Sequence, residues 1–110
     1  MTQAEVDAVL KRTKVQLGPL NRDVVFVQTC FFRGRLVPHF VVRTARGPVA
    51  VMILPNETLK APEHFNDSGY SGVLLPDGGH GSVAVLSRSD VNMEQEGRAV
   101  LSALHSAPQA

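Results

Sequence analysis

Few residues in this chain have side chains that bind metals or attack substrates. One cysteine, Cys30, and four histidines carry donor atoms that copper and zinc prefer, and Met52 adds a thioether sulfur. The histidines are His39, His64, His80 and His105. No two histidines have the i, i+4 spacing of a helical zinc motif, and a single cysteine excludes both a Cys-x-x-Cys pair and an internal disulfide.

The most informative pair is Cys30 and His39. A turn near Gly34 would connect the strands that carry them, so the two side chains could be cross-strand neighbours and form a copper or zinc site with a third ligand. Thiol and imidazole groups also respond to oxidants and to acid. We therefore take Cys30, His39 and His80 as the candidate sensing or binding residues. The alternative is a buried structural cysteine and surface histidines.

A complete catalytic set is not evident. A nucleophilic cysteine needs a lowered pKa, but Cys30 lies within a predicted strand rather than at a helix N-terminus. The chain has no Gly-x-Ser-x-Gly motif, and Glu57 and Glu63 share a loop where water would surround both carboxylates. We predict a protein that is not an enzyme and needs no cofactor. A small cysteine-dependent enzyme is a third hypothesis, and a raised Cys30 pKa would count against it.

Anion and nucleic-acid binding are also disfavoured. Gly78–Gly81 could surround a phosphate, but it connects two predicted strands and lacks the lysine and hydroxyl of a phosphate-binding loop. Four arginines, at opposite ends of one strand, favour solubilising turn charges over a single patch: Arg33, Arg35, Arg43 and Arg46. The net charge is +1 and aromatic residues make up 5%, so we predict no nucleic-acid partner.

These residues must be positioned by one small domain, residues 1–110, because the chain is short and 44% hydrophobic. Thr2 and Glu5 have the spacing of a capping box and begin a predicted helix over residues 3–17, which Gly18 and Pro19 would end. A second helix follows a cap at Ser89 or Asp90, and a polar tail, residues 106–110, should fray.

Between the helices, β-branched and aromatic runs predict strands over 24–32, 36–44 and 48–54, joined by glycine-containing turns into an antiparallel meander. Pro38 lacks an N–H group and places its strand at an edge or a bulge. A polar loop over residues 55–69 follows. Two further strands, 70–75 and 82–86, surround the glycine-rich turn and form a hairpin.

The predicted fold class is therefore α+β. We expect an antiparallel sheet of about five strands, a three-strand meander plus a hairpin, with the N- and C-terminal helices packed on one face.

Several motifs together carry a family resemblance. They are Cys30 and Arg33-Gly34 in the first hairpin, His39 in the second strand, Gly47-Pro48-Val49 before the third and the late Gly79-His80-Gly81. With these motifs, most of residues 5–105 resembles the C-terminal extracytoplasmic domain of an uncharacterised bacterial family of membrane-tethered, anti-sigma-factor-like proteins.

The resemblance implies a periplasmic sensory and protein-interaction domain of an inner-membrane transcription regulator, with a protein partner and no catalytic residues. This sequence has no run that would span a bilayer, so the transmembrane helix would lie upstream and Met1 would be a cloning start. If the resemblance fails, we expect a complete cytoplasmic protein.

Two further expectations concern binding. The alternative function is a stand-alone module that binds a metal ion or a small ligand in a cleft under the loop around His64 and Phe65. A homodimer is also expected to be feasible, because antiparallel sheets can pair through their edges.

Overall fold

The structure, a computed structural model, describes residues 2–20 and 22–106. The elements along the chain are α1 (Gln3–Thr13), β1 (Asp23–Phe32), β2 (Arg35–Thr44), β3 (Gly47–Leu54), β4 (Glu63–Asp67), β5 (Tyr70–Pro76), β6 (Ser82–Ser87) and α2 (Met93–His105).

All strands join one antiparallel sheet in the order β1-β2-β3-β6-β5-β4. The α+β prediction and the β1-β2-β3 meander are thus confirmed. The sheet has six strands rather than about five, because Glu63–Asp67 in the predicted polar loop forms β4. β4 lacks the apolar alternation of the other strands, and it pairs only with β5, at the edge of the sheet.

Two-residue turns join three of the strand pairs, and two of these turns share one backbone conformation. Arg33 and Gly34 both have positive φ, 51° and 81°, between β1 and β2. Ser68 and Gly69 repeat this pattern, with φ of 51° and 85°, between β4 and β5. Two consecutive positive φ values are the signature of a type I′ turn, whose twist matches that of antiparallel strands. These turns fix the register of both hairpins.

The core lies between the helices and one face of the sheet. α1 packs across β1 and β2, and α2 packs across β5 and β6. Alternate strand residues point into this layer, and they include Val27, Phe40, Val51, Val85 and Val73, each at most 8% exposed. These residues form one lateral row from β1 to β5. The predicted placement of both helices on one face is confirmed.

The predicted end of the first helix is wrong. α1 ends at Thr13, because Lys14 adopts a left-handed conformation with φ 59°. The N–H of Val15 then donates to the carbonyl of Leu10 at 3.3 Å, as in a Schellman cap. The predicted N-cap is confirmed, since the Thr2 hydroxyl accepts from the N–H of Glu5 at 3.1 Å.

Two positions near the C-terminus also differ from expectation. Asn92, rather than Ser89 or Asp90, caps α2, and its side-chain oxygen accepts from the N–H of Gln95 at 3.0 Å. Ser106 is the C-cap of α2. The rest of the predicted fraying tail, residues 107–110, lies outside the described residues.

Pro38 does not mark an edge or a bulge. β2 lies between β1 and β3, and the bulge falls in β1 between Val24 and Phe26. The β2–β3 ladder begins one residue after Pro38, at the pair His39 and Met52. Pro38 is therefore tolerated, because the N–H group that it lacks would not have belonged to a pair of that ladder.

Candidate functional site

The side of the sheet away from the helices forms a second continuous surface, which we call the open face. It consists of lateral rows of side chains that follow the strand register. The upper row is Phe26, Val41, Ala50, Leu86, Gly72 and Phe65, and the middle row is Gln28, His39, Met52, Ala84, Leu74 and Glu63. The lower row consists of the pair Cys30 and Val37 and of the set Leu54, Ser82 and Pro76, and it is buried at Val37, Leu54 and Ser82.

The open face is apolar over most of its width. An antiparallel sheet with one solvated face normally alternates apolar and polar residues, so that polar side chains point outward. Here Val41, Met52 and Leu86 point outward and are only partly buried, and Phe26 is 43% exposed. Glu63 is the one carboxylate in the three rows, and it lies on the edge strand. Contiguous, partly exposed apolar surface of this kind is typical of binding sites.

Arginines surround the apolar rows. Arg43 extends β2 beyond the upper row, and its guanidinium lies 3.7 Å from the carboxylate of Asp23. Arg88 follows β6 and lies over the ring of Tyr70, 4.3 Å from the ring centroid. Arg35 lies at the hairpin end of β2. The border of the open face therefore carries arginines on its long sides, one of them paired with Asp23, and a carboxylate at Glu63.

Two of the three predicted site residues share this face. Cys30 is opposite Val37, and His39 is opposite Gln28, so Cys30 and His39 are diagonal neighbours in adjacent rows. His80 is exposed in the turn before β6, and β6 is separated in the sheet order from the β1 strand of Cys30 by β2 and β3. Among residues 2–20 and 22–106 there is no group of three or more His, Cys, Asp or Glu side chains that could hold a metal ion.

Both Cys30 and His39 are favoured in their uncharged forms, as is expected for side chains on an apolar surface. Burial raises the pKa of the Cys30 thiol, which keeps it protonated and is the opposite of what a nucleophile needs. Burial lowers the pKa of His39, which favours a neutral ring. The side-chain nitrogen of Gln28 lies 3.4 Å from Nδ1 of His39, and the ring of Phe26 meets the imidazole edge-on at 6.2 Å.

The glycine-rich turn is folded around its own carboxylate. Asp77 accepts hydrogen bonds from the N–H groups of Gly79 at 2.7 Å and Gly81 at 3.2 Å. Because the carboxylate already occupies these donors, the turn is a poor cradle for a phosphate. His105 at the end of α2 lies with Nε2 2.9 Å from the Asp77 carbonyl oxygen, which ties the turn to the helix.

Three of the predicted turn arginines have an acidic neighbour. Besides Arg43, Arg33 pairs with Glu57 at 3.3 Å and Arg46 pairs with Asp90 at 3.3 Å. The arginines of both turns lie at opposite ends of β2, as expected from the sequence. This distribution supports the interpretation as separate turn charges rather than one anion-binding patch.

The cleft expected near His64 and Phe65 exists, but β4 forms one wall. It has a volume of about 320 Å³ and lies between β4, β5 and the first turn of α2. Ser71 donates to the side-chain oxygen of Asn66 at 2.8 Å in this region. Phe65 itself covers Gly72, where a Cβ atom would overlap its ring.

Sequence reasoning missed the open face as a unit. The sequence feature that could have indicated this face is the strand over residues 48–54, which is apolar on both of its sides. The missing information was that β3 pairs with β6, which places Met52 beside Ala84 and extends the apolar rows across the sheet.

Comparisons with known proteins identify no relative. No protein-family model, no curated protein and no solved structure matches the chain. The resemblance to anti-sigma-factor-like proteins therefore stays a prediction. Neither described helix has the length and apolar character needed to cross a membrane.

Proposed function

We propose that this chain is a non-catalytic protein-interaction domain whose open face binds an apolar surface of a protein partner. The observation that carries the proposal is the continuous set of outward-facing apolar side chains around Met52. Covering them removes apolar area from water, which is the main driving force of most protein association. The neutral imidazole of His39 adds little desolvation cost to that burial.

The charge at the border indicates the chemistry of the partner. Arg35, Arg43 and Arg88 flank the apolar rows, so acidic residues beside the partner's apolar surface would be complementary. A helix suits this sheet, because α1 and α2 already pack on its other face. The proposed occupant is therefore an amphipathic helix with acidic flanks, supplied by another protein.

The resemblance adds a biological setting to this proposal. It places the interaction in a membrane-tethered, anti-sigma-factor-like regulator, with the domain on the extracytoplasmic side. In that setting the Cys30 and His39 pair on the open face could couple the binding of a partner to oxidants or acid. This part of the proposal depends on the resemblance alone.

Site-specific photo-crosslinking tests the proposal in the native host. A photoreactive amino acid replaces Met52 on the open face or, as a matched control, Arg98, whose side chain is 61% exposed on α2. We expect a discrete adduct with one other protein from position 52 only, with an acidic amphipathic helix at the crosslinked segment. Equal adducts from both positions, or adducts only with further copies of this chain, would contradict it.

The cleft beside His64 supports a second candidate function, a module that binds a metal ion or a small ligand. His64, Asn66 and Asn92 supply nitrogen and oxygen donors at its border. Calorimetric titration of the purified chain with copper and zinc tests the metal version. Absence of heat together with an unchanged melting temperature would count against it, and His64→Ala should remove any heat that is seen.

A further inference from the structure

We propose that two copies of this chain pair through the outer edges of their β1 strands, antiparallel and about a two-fold axis at Thr29. The result is one continuous sheet with the helices of both copies on the same side. This inference goes beyond the proposed function, because the pairing covers only the β1 end of the open face and leaves the side chains around Met52 free for another protein.

From Phe26 to Phe32, β1 is an edge strand without the usual protection. It is the first strand in the sheet order, and no other described element pairs with its outer side. Between Phe26 and Phe32 it contains no charged residue, no proline and no glycine. The bulge lies before this segment, between Val24 and Phe26. Natural proteins normally guard an edge of this kind with charges, prolines or bulges, because its unpaired backbone groups bind other strands.

The exposed aromatic residues of β1 point to a strand as the occupant. Phe26 is 43% exposed and Phe31 is 76% exposed. Their positions differ by an odd number, so the two rings lie on opposite faces of the sheet. A protein docked on either face would cover only one of them. A strand added beside β1 places side chains over both.

Two-fold pairing at Thr29 supplies apolar neighbours for both rings. In that register Phe26 lies opposite Phe32 of the second copy on the open face. On the helix side, Phe31 lies opposite Val27 of the second copy. Thr29 lies opposite its own equivalent, and threonine pairs are favourable across antiparallel strands.

Charge favours a second copy over an unrelated strand. Asp23 begins β1, and its side chain is 64% exposed. Arg33 follows the other end of β1, and its side chain is 75% exposed. Antiparallel pairing of identical strands brings the acidic start of each copy toward the basic hairpin of the other, on both sides of the axis.

The assembly should stop at two copies. The opposite edge of the sheet is β4, which has only five residues and contains Glu63, His64 and Asn66. A short polar edge is a poor template for further pairing. A closed two-fold dimer rather than a growing fibre is the expected product.

Sedimentation equilibrium of the full chain, from about 1 to 300 μM, tests the proposal, because a small strand-edge interface predicts micromolar affinity. Phe31→Lys should raise the dimer dissociation constant by about 100-fold or more, since each dimer loses the contact twice. The control is Ser102→Lys, an exposed position on α2, which packs on β5 and β6 away from β1, and it should keep the wild-type constant.

Two further measurements do not depend on that variant. Amide hydrogen exchange within Phe26–Phe32 should slow as the protein concentration rises, whereas exchange in β4 should not. Thr29→Cys in a Cys30→Ser background should form a disulfide-linked dimer, because directly opposed Cα atoms are about 4.5 to 5.5 Å apart. A monomer at every concentration, or a dimer that Met52→Glu dissociates and Phe31→Lys does not, would overturn the proposal.

Discussion

Arg22 and Glu96 form a two-point ion pair between the segment that leads into β1 and the inner side of α2. Nε of Arg22 lies 2.6 Å from Oε1 of Glu96, and Nη2 lies 3.2 Å from Oε2. Glu96 is 7% exposed as a whole residue. The hydrogen bond to Glu96 raises the pKa of the Arg22 guanidinium, so the arginine stays charged throughout the range in which the protein folds.

Removal of one partner of this pair should be costly. Arg22→Ala leaves the Glu96 carboxylate buried without its main donor, and we expect the free energy of unfolding to fall by about 2 to 3 kcal/mol. Urea unfolding monitored by circular dichroism measures the change. The double variant Arg22→Met with Glu96→Met should lose less than Arg22→Ala alone, because no unpaired charge remains. Additive losses would contradict this account.

Two buried serines of β6 should respond to alanine with opposite signs. Ser82 is 2% exposed, and its hydroxyl has no hydrogen-bond partner in the described part of the chain. Ser87 is 3% exposed, but its hydroxyl donates to the Pro48 carbonyl at 2.8 Å and accepts from the N–H of Ser89 at 3.0 Å. Burial of an unsatisfied hydroxyl destabilises the fold, whereas burial of a satisfied one does not.

We therefore expect Ser82→Ala to raise the free energy of unfolding by up to about 1 kcal/mol. Ser87→Ala should lower it by about 1 to 3 kcal/mol, because the N–H of Ser89 loses its acceptor. Each serves as the control for the other, since both replace a serine with alanine in the same strand. Thermal melting curves of the wild-type protein and the two variants measure the difference. Equal effects of the two substitutions would refute the assignment of Ser82 as unsatisfied and Ser87 as satisfied.

Local sequence signals predicted much of this fold. The β1–β2 and β2–β3 hairpins followed from apolar runs separated by glycine-containing turns. The end of α1 was wrong because Lys14, not a glycine, takes the left-handed position. β4 was missed because its polar residues form a strand only by pairing with β5. Edge strands of this kind carry little periodic signal of their own.

The candidate site was predicted only in part, for a related reason. The diagonal relationship of Cys30 and His39 depends on one hairpin, so local turn geometry was sufficient. The open face depends on the pairing of β3 with β6, which lie far apart in the sequence. Alternation shows which side chains share a face of one strand, but it does not show which distant strand lies beside it.

Cys30 should be a slow nucleophile. Burial raises the pKa of its thiol, so little thiolate is present near neutral pH. We expect alkylation by iodoacetamide at pH 7.5 to be slower than that of free cysteine, and to accelerate when urea unfolds the chain. The matched control is Phe31→Cys in a Cys30→Ser background, an adjacent and 76% exposed position that should react at least several-fold faster. Faster alkylation of native Cys30 than of free cysteine would revive the hypothesis of a cysteine enzyme.

His39 should make the protein less stable in acid. Burial lowers its pKa in the folded state below the ordinary value of about 6.5 that it has when unfolded. Below that value the unfolded chain therefore binds the proton more readily than the folded chain. The free energy of unfolding should fall as the pH drops through about 6.5, and the loss should level off below the folded pKa.

Among the described residues, the neighbours of His39 offer the imidazolium no compensating charge. Gln28 and Phe26 contact the ring from β1, Met52 lies beside it on β3, and the helices pack on the opposite side of the sheet. The nearest titratable neighbour in the rows is Cys30, whose raised pKa keeps it neutral. His39→Gln should flatten the stability profile between pH 7.5 and 5.5 in urea titrations, whereas His80→Gln should retain the wild-type slope because His39 is intact. An unchanged slope in His39→Gln would show that another group causes the acid sensitivity.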